Sequence, residues 1–118
     1  RTKEQFLGDA KHPKAAVGGR IPGAELLFQE NAYDVASNRL KSRADLEAIY
    51  GDINVELPIV SYCNTGHWAA AHWFAVSEVA GVENAKLYAG SMVEYSQSGN
   101  EMANTPGLVQ NLINQILN

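Results

Sequence analysis

At 118 residues, with 46% hydrophobic and 19% charged side chains, the chain suits one globular domain, and no apolar run reaches the roughly 20 residues that span a bilayer. A formal net charge of −4, from 13 acidic and 9 basic residues, argues against a nucleic-acid partner, which would call for a basic stripe. One cysteine excludes an internal disulfide, and with three scattered histidines it offers no metal-ligand spacing.

The first 23 residues are polar and broken by Gly8, Pro13, Gly18, Gly19, Pro22 and Gly23, so a helical turn near Lys3–Phe6 should give way to a long loop. Ala24–Leu27 reads as a short strand. Ser42 to Tyr50 reads as a helix capped by Ser42, with Asp45 at capping-box spacing, Leu46, Ile49 and Tyr50 on one face, and Gly51 as the stop. Pro58–Tyr62 is a β-prone run expected to be buried on both faces. His67 to Ala80 reads as one helix closed by Gly81, apolar nearly all round and therefore largely buried. Ala85–Tyr88 is another strand. After a polar loop, Pro106 and Gly107 introduce an amphipathic helix with a stripe of Leu108, Val109, Leu112, Ile113, Ile116 and Leu117. Strands alternating with helices predict an α/β domain with a parallel sheet, whose binding crevice lies beyond the carboxyl ends of the strands.

Cys63 sits at such an end, in Ile59-Val60-Ser61-Tyr62-Cys63-Asn64-Thr65-Gly66-His67-Trp68-Ala69. Where a strand hands over to a helix through a tight loop, main-chain N–H groups converge and the helix dipole adds partial positive charge. Both favour thiolate over thiol, and the thiolate is the nucleophile. A persulfide is likewise anionic and suits the same cradle. A lone cysteine is otherwise a small packed hydrophobe; this context favours a reactive role.

Three stretches of the sequence resemble the rhodanese family. Gly19-Arg20-Ile21-Pro22-Gly23-Ala24 is similar to its Gly-His/Arg-Ile-Pro-Gly-Ala turn, and Tyr62-Cys63-Asn64-Thr65-Gly66 to its Tyr-Cys-x-x-Gly loop. Leu87-Tyr88-Ala89-Gly90-Ser91-Met92-Val93-Glu94-Tyr95 resembles the next strand and a Gly-Ser-x-x-Glu-Trp signature, with Tyr95 in place of Trp. The order and separations match as well. The resemblance implies a three-layer α/β fold, a parallel sheet flanked by helices on both faces. It also implies a sulfurtransferase in which Cys63 is catalytic and Asn64, Thr65, Gly66, His67 and Trp68 form the persulfide-binding loop. Arg1, aligned with the last residue of an Asp-x-Arg motif, Arg20 and Ser91 are the further candidates for substrate contact. Ser91 and Glu94 would lie near the rim, contacting substrate or fixing the loop by hydrogen bonds, with the second preferred.

The loop from Cys63 to Trp68 has the sulfurtransferase length, whereas related phosphatases have a longer loop ending in arginine; Ala69 stands here instead. Thiosulfate-using members carry basic residues after the cysteine and mercaptopyruvate-using members a small neutral loop. Asn64 and Thr65 are neutral, but Gln5 replaces an arginine common to both groups. A Cys–His acyl-transfer reading with His67 as base rests only on residue types that chance supplies. His72 reads as structural, Trp73 as core, and Trp68 as lining the pocket.

The expected activity moves sulfane sulfur from a small donor such as thiosulfate or 3-mercaptopyruvate to a thiol or cyanide acceptor, with no metal and no cofactor. The competing expectation is a non-catalytic rhodanese-like binding module. In the family a hydrophobic strand precedes the Asp-x-Arg arginine and lies beside the cysteine's strand. Residues 1–118 are therefore expected to be a single domain lacking that strand, supplied by an upstream segment of the same protein, with a second rhodanese domain possible there. A nucleic-acid or membrane partner is not expected, and the compartment, cytoplasm or bacterial periplasm, stays open.

Overall fold

The computed structural model describes residues 1–51, 53 and 56–117, with the backbone alone at residues 29, 108, 111 and 115. Helix α1, Lys3–Leu7, begins with a reciprocal capping box: Thr2 accepts the Gln5 N–H, and the Gln5 side chain accepts the Thr2 N–H at 3.2 Å. Gly8, at φ 90°, closes the helix. The loop that follows is fixed at Arg20, which forms an isolated antiparallel bridge with Ala103.

Ala24–Leu27 is not a strand. It runs alongside strand β3, Ile59–Ser61, without pairing to it, and a cavity of about 290 Å3 separates the two. A 3-10 turn at Gln29–Ala32 leads into a hairpin the sequence reading did not anticipate, β1 Tyr33–Asp34 paired antiparallel with β2 Arg39–Leu40. Its turn is held by Asp34 Oδ1, which accepts the N–H groups of Ala36 and Ser37. Helix α2, Arg43–Tyr50, starts as expected, with Ser42 Oγ accepting the Asp45 N–H.

The centre is a βαβ unit: β3, helix α3 at His67–Phe74, and β4 at Ala85–Leu87. The strands run parallel in the register Ile59↔Ala85, Val60↔Lys86 and Ser61↔Leu87. This is the α/β class with a parallel sheet that the alternation of elements predicts. The single helix expected over 67–80 instead changes pitch, and residues Ala75–Val79 form a π turn in which Ala80 N–H reaches Ala75 C=O. Ala75 and Val76 are both fully buried there, packed with Ala32, Leu46 and Tyr50 as the core.

Two burial expectations fail. In a parallel ladder alternate residues face the partner. Ile59 and Ser61 face β4, since Ile59 donates to Asn84 C=O and Tyr88 donates to Ser61 C=O. The N–H and C=O of Val60 therefore face the other edge, where no strand among the described residues pairs, and the residue is 53% exposed. Helix α3 is not sealed either: Trp68 and Phe74 are 44% and 46% exposed, since only the side carrying Ala69 and continuing into Ala75 and Val76 meets the core. The last helices are α4, Ser91–Tyr95, and α5, Leu108–Leu117. Helix α5 forms as expected, but Val109, Leu112, Ile113, Ile116 and Leu117 stay exposed, and the side chain of Leu108 lies outside the described residues.

Leu46 is fully buried between α2 and the π turn. Leu46→Ala should lower unfolding free energy by about 2–5 kcal/mol in urea titration, the range for deleting a buried leucine side chain.

Candidate active site

The sulfur of Cys63 lies two residues beyond β3 and just before α3, and the residue is 4% exposed. Gly66 N–H donates to Cys63 Sγ at 3.1 Å. Gly66 can do this because it adopts φ 92°, which glycine tolerates and which curls the loop back over the sulfur. A Cβ at this position would collide with the Ala89 carbonyl oxygen, so the close approach also requires glycine.

Burial alone would push the thiol pKa up. The N–H groups of Ala69, Thr65 and Gly66 and the Ser91 hydroxyl outweigh it, and the pKa falls below its ordinary value. The loop is fixed from behind as well. Cys63 N–H donates to Ser91 Oγ at 3.0 Å, and Ser91 Oγ donates to Tyr88 C=O at 2.9 Å. A hydroxyl has one proton, so it serves either that carbonyl or the sulfur at a given moment. The first turn of α4 completes the support: Met92 and Val93 donate their N–H groups to the carbonyls of Cys63 and Asn64. These are helix-start donors that would otherwise lack partners.

Two recesses meet at Cys63. The inner one is the 290 Å3 cavity beside β3, which Arg1, Trp68 and His72 also line. The outer one, about 390 Å3, is bounded by Thr2, Gln5, His12 and the loop residues Asn64, Thr65, His67 and Trp68.

A profile of the rhodanese-like domain matches residues 1–98. The chain belongs to that family. It is 33% identical over 101 residues to a thiosulfate sulfurtransferase of Corynebacterium glutamicum, an overlap of 80% of this chain and 33% of that protein. The chain thus spans about a third of the length of that curated relative. The crystal structure of the Tum1 protein from Saccharomyces cerevisiae superposes with a TM-score of 0.72 at 28% identity, covering 90% of this chain and 39% of that one.

In this rhodanese-like domain the structure gathers the loop candidates Asn64, Thr65, Gly66, His67 and Trp68 around Cys63. Asn64 is buried and tied at both ends: its Oδ1 accepts from Arg1 Nε at 3.1 Å, and its Nδ2 donates to Gln5 Oε1 at 2.9 Å. His67 is exposed and pairs through Nδ1 with Thr65 Oγ1 at 3.1 Å. Arg1 is buried, and its Nη2 donates to Gln5 C=O at 2.7 Å. Burial lowers the Arg1 pKa, against the opposing pull of Tyr62 and Cys63.

Arg20 lies elsewhere. Its guanidinium sits over the Phe6 ring, 4.4 Å from the centroid, and it lines neither recess. Tyr62, whose hydroxyl accepts from Ile21 N–H, stands between that turn and the loop. Ser91 is fully buried, so it braces the loop rather than facing a recess. Gln5 and His72 have site positions that the sequence reading did not assign. Gln5 joins the α1 cap to Asn64, a role hidden when it is read only as a missing arginine. His72 pairs through Nδ1 with Ser61 Oγ at 2.9 Å, stands edge-on to Tyr50, and is kept below its ordinary pKa by burial. The serine two residues before the cysteine, on the same strand face, was the available signal.

The thiolate fraction rises with pH through the thiol pKa, so a lowered pKa moves the rise to lower pH. Iodoacetamide alkylation of Cys63 should reach half its plateau rate at a lower pH than the thiol of a solvent-exposed cysteine peptide measured alongside. Ser91→Ala should shift that midpoint upward. It should also destabilise the fold by about 1–3 kcal/mol, because the buried Cys63 N–H loses its acceptor.

Proposed function

We propose that this rhodanese-like domain is a sulfurtransferase that works through a persulfide on Cys63. The supporting observation is the Gly66 N–H donated to the Cys63 sulfur at 3.1 Å at the strand-to-helix junction, where the amides of Thr65 and Ala69 also favour the thiolate. With thiosulfate, the Cys63 thiolate attacks the outer sulfur, the S–S bond of the donor breaks, and sulfite leaves with the electron pair; Cys63–S–S⁻ remains. With 3-mercaptopyruvate the C–S bond breaks and the thiol proton ends on the methyl carbon of pyruvate. The amides that favour the thiolate also favour the anionic persulfide, so charge stays in the same cradle. A thiophile, cyanide or a thiol, then takes the outer sulfur and the thiolate returns. Asn64, held by Arg1 and Gln5, keeps the loop in register for both half-reactions.

Intact-mass measurement after incubation with either donor should show one added sulfur, about 32 Da, located at Cys63. Cys63→Ser should gain none and should form no thiocyanate from cyanide. A folded wild-type protein that gains no sulfur from any donor would overturn the reading and favour a binding module.

A partner segment belongs to the same proposal. The free edge of β3, the exposed Val60, and the unpartnered Arg1 Nη1 and His72 Nε2 among the described residues support a strand entering the inner cavity from another part of the protein, an upstream segment or a second rhodanese domain. Each buried polar group left unpaired is unfavourable by about 1–3 kcal/mol, which pairing would relieve. In the protein as the cell makes it, the Val60 amide should exchange with deuterium at least about 100-fold more slowly than in residues 1–118 alone. Equal exchange in the two would refute this part.

A further inference from the structure

The outer recess at Cys63 has two properties that bear on its donor. Among the described residues no Lys, Arg, Asp or Glu lines it; its polar groups are Thr2, Gln5, Asn64 and Thr65 and the imidazoles of His12 and His67. The nearby Arg1 is 7% exposed, has its guanidinium bound to Asn64 and Gln5, and lines the inner cavity instead. The second property is Trp68. It closes the loop, is 44% exposed, and lines the outer recess, the inner cavity and a further hollow of about 380 Å3 beside Tyr33 and Val35. Phe28 packs edge-on against the indole at 6.5 Å between centroids, which fixes the ring while a large face stays open.

We propose that this recess selects sulfane-sulfur donors that carry a single negative charge and an apolar body, with Trp68 as the specificity-determining wall. The inference rests on the sulfurtransferase reading and narrows its donor class. The desolvation free energy of an ion scales with the square of its charge, so a dianion such as thiosulfate loses roughly four times as much as a monoanion of equal size. The loop amides are already directed at the Cys63 sulfur, the Arg1 charge that Cys63 feels is engaged by Asn64 and Gln5, and no Lys or Arg among the described residues lines the recess to compensate the second charge. An apolar body placed on the open indole face leaves water along with it, and that contact favours the larger organic donor. An organic thiosulfonate meets both conditions. Cys63–S⁻ attacks its terminal sulfur, an S–S bond forms, the sulfonyl S–S bond breaks, and the sulfinate leaves with the electron pair. The products are Cys63–S–S⁻ and R–SO₂⁻, with charge and atoms balanced and no proton moved.

The test compares kcat/KM for thiosulfate, methanethiosulfonate and benzenethiosulfonate with the full-length protein, each divided by the donor's rate with free cysteine thiolate. The first pair isolates charge and the second isolates the apolar body. Methanethiosulfonate should exceed thiosulfate by at least about tenfold, and benzenethiosulfonate should exceed methanethiosulfonate by a similar factor. Trp68→Ala should bring the second ratio to within about threefold and leave the first intact. Thr65→Arg, at an exposed position, gives an independent check: whatever it does to the absolute rates, the ratio of kcat/KM for thiosulfate to that for methanethiosulfonate should rise at least about tenfold. Thiosulfate matching or exceeding the methyl donor in the wild type would overturn the inference, as would equal loss of all donors in a folded Trp68→Ala. In either case a sulfur would still be found on Cys63. Absence of sulfur on Cys63 with every donor is a different result, and it overturns the underlying reading.

Discussion

A main-chain N–H can stabilise charge on a sulfur only while the backbone that carries it stays in place. In this domain Gly66 N–H donates to Cys63 Sγ, and together with the amides of Thr65 and Ala69 it counters a burial that would otherwise neutralise the sulfur. The loop holding them is short and glycine-curled, so its shape depends on what packs behind it. The rest of the architecture is best understood as that support. Strand β3 delivers the cysteine, α3 aligns its first N–H groups with the sulfur, and β4 brings round the turn that carries Ser91 and α4.

That turn braces Cys63 on three sides. Ser91, at φ 50°, places its hydroxyl under the Cys63 N–H. The next two residues give their N–H groups to the loop carbonyls. The Ala89 carbonyl closes against Gly66 where a side chain would fit for no other residue. A non-glycine residue at positive φ is strained. Here the strain sits where it lets one hydroxyl serve both the backbone and the sulfur of Cys63.

The elements whose signals are local were legible in the sequence. Helix α2 carries its cap at Ser42, α1 forms where a helical turn was read near Lys3–Phe6, and the β-prone runs before Cys63 and at Ala85 pair as parallel strands. The placement of Cys63 at a strand end followed from the same pattern. What was illegible depended on neighbours. Val60 has the composition of a two-sided core strand, yet it lies exposed on a strand with one edge unpaired among the described residues. Ala24–Leu27 has strand composition, but a cavity keeps it from pairing with β3. The π turn arises because Ala75 and Val76 both seat against α2, which a helical wheel of ideal pitch does not display. Arg20 follows the family turn in sequence, yet Phe6 captures its guanidinium. The role of Gln5 was hidden for a related reason: a substituted side chain announces what it lacks, and only the packed structure shows what it holds.

The Gln5 amide has a mechanical consequence. Its single oxygen accepts from the Thr2 main chain and from the Asn64 side chain, so the start of α1 and the loop share one fastening. Displacing the first helix would tug the loop beneath the sulfur, because Asn64 also grips Arg1 and is itself hidden from water. Events at the leading end of this domain are thereby geared to its most reactive atom.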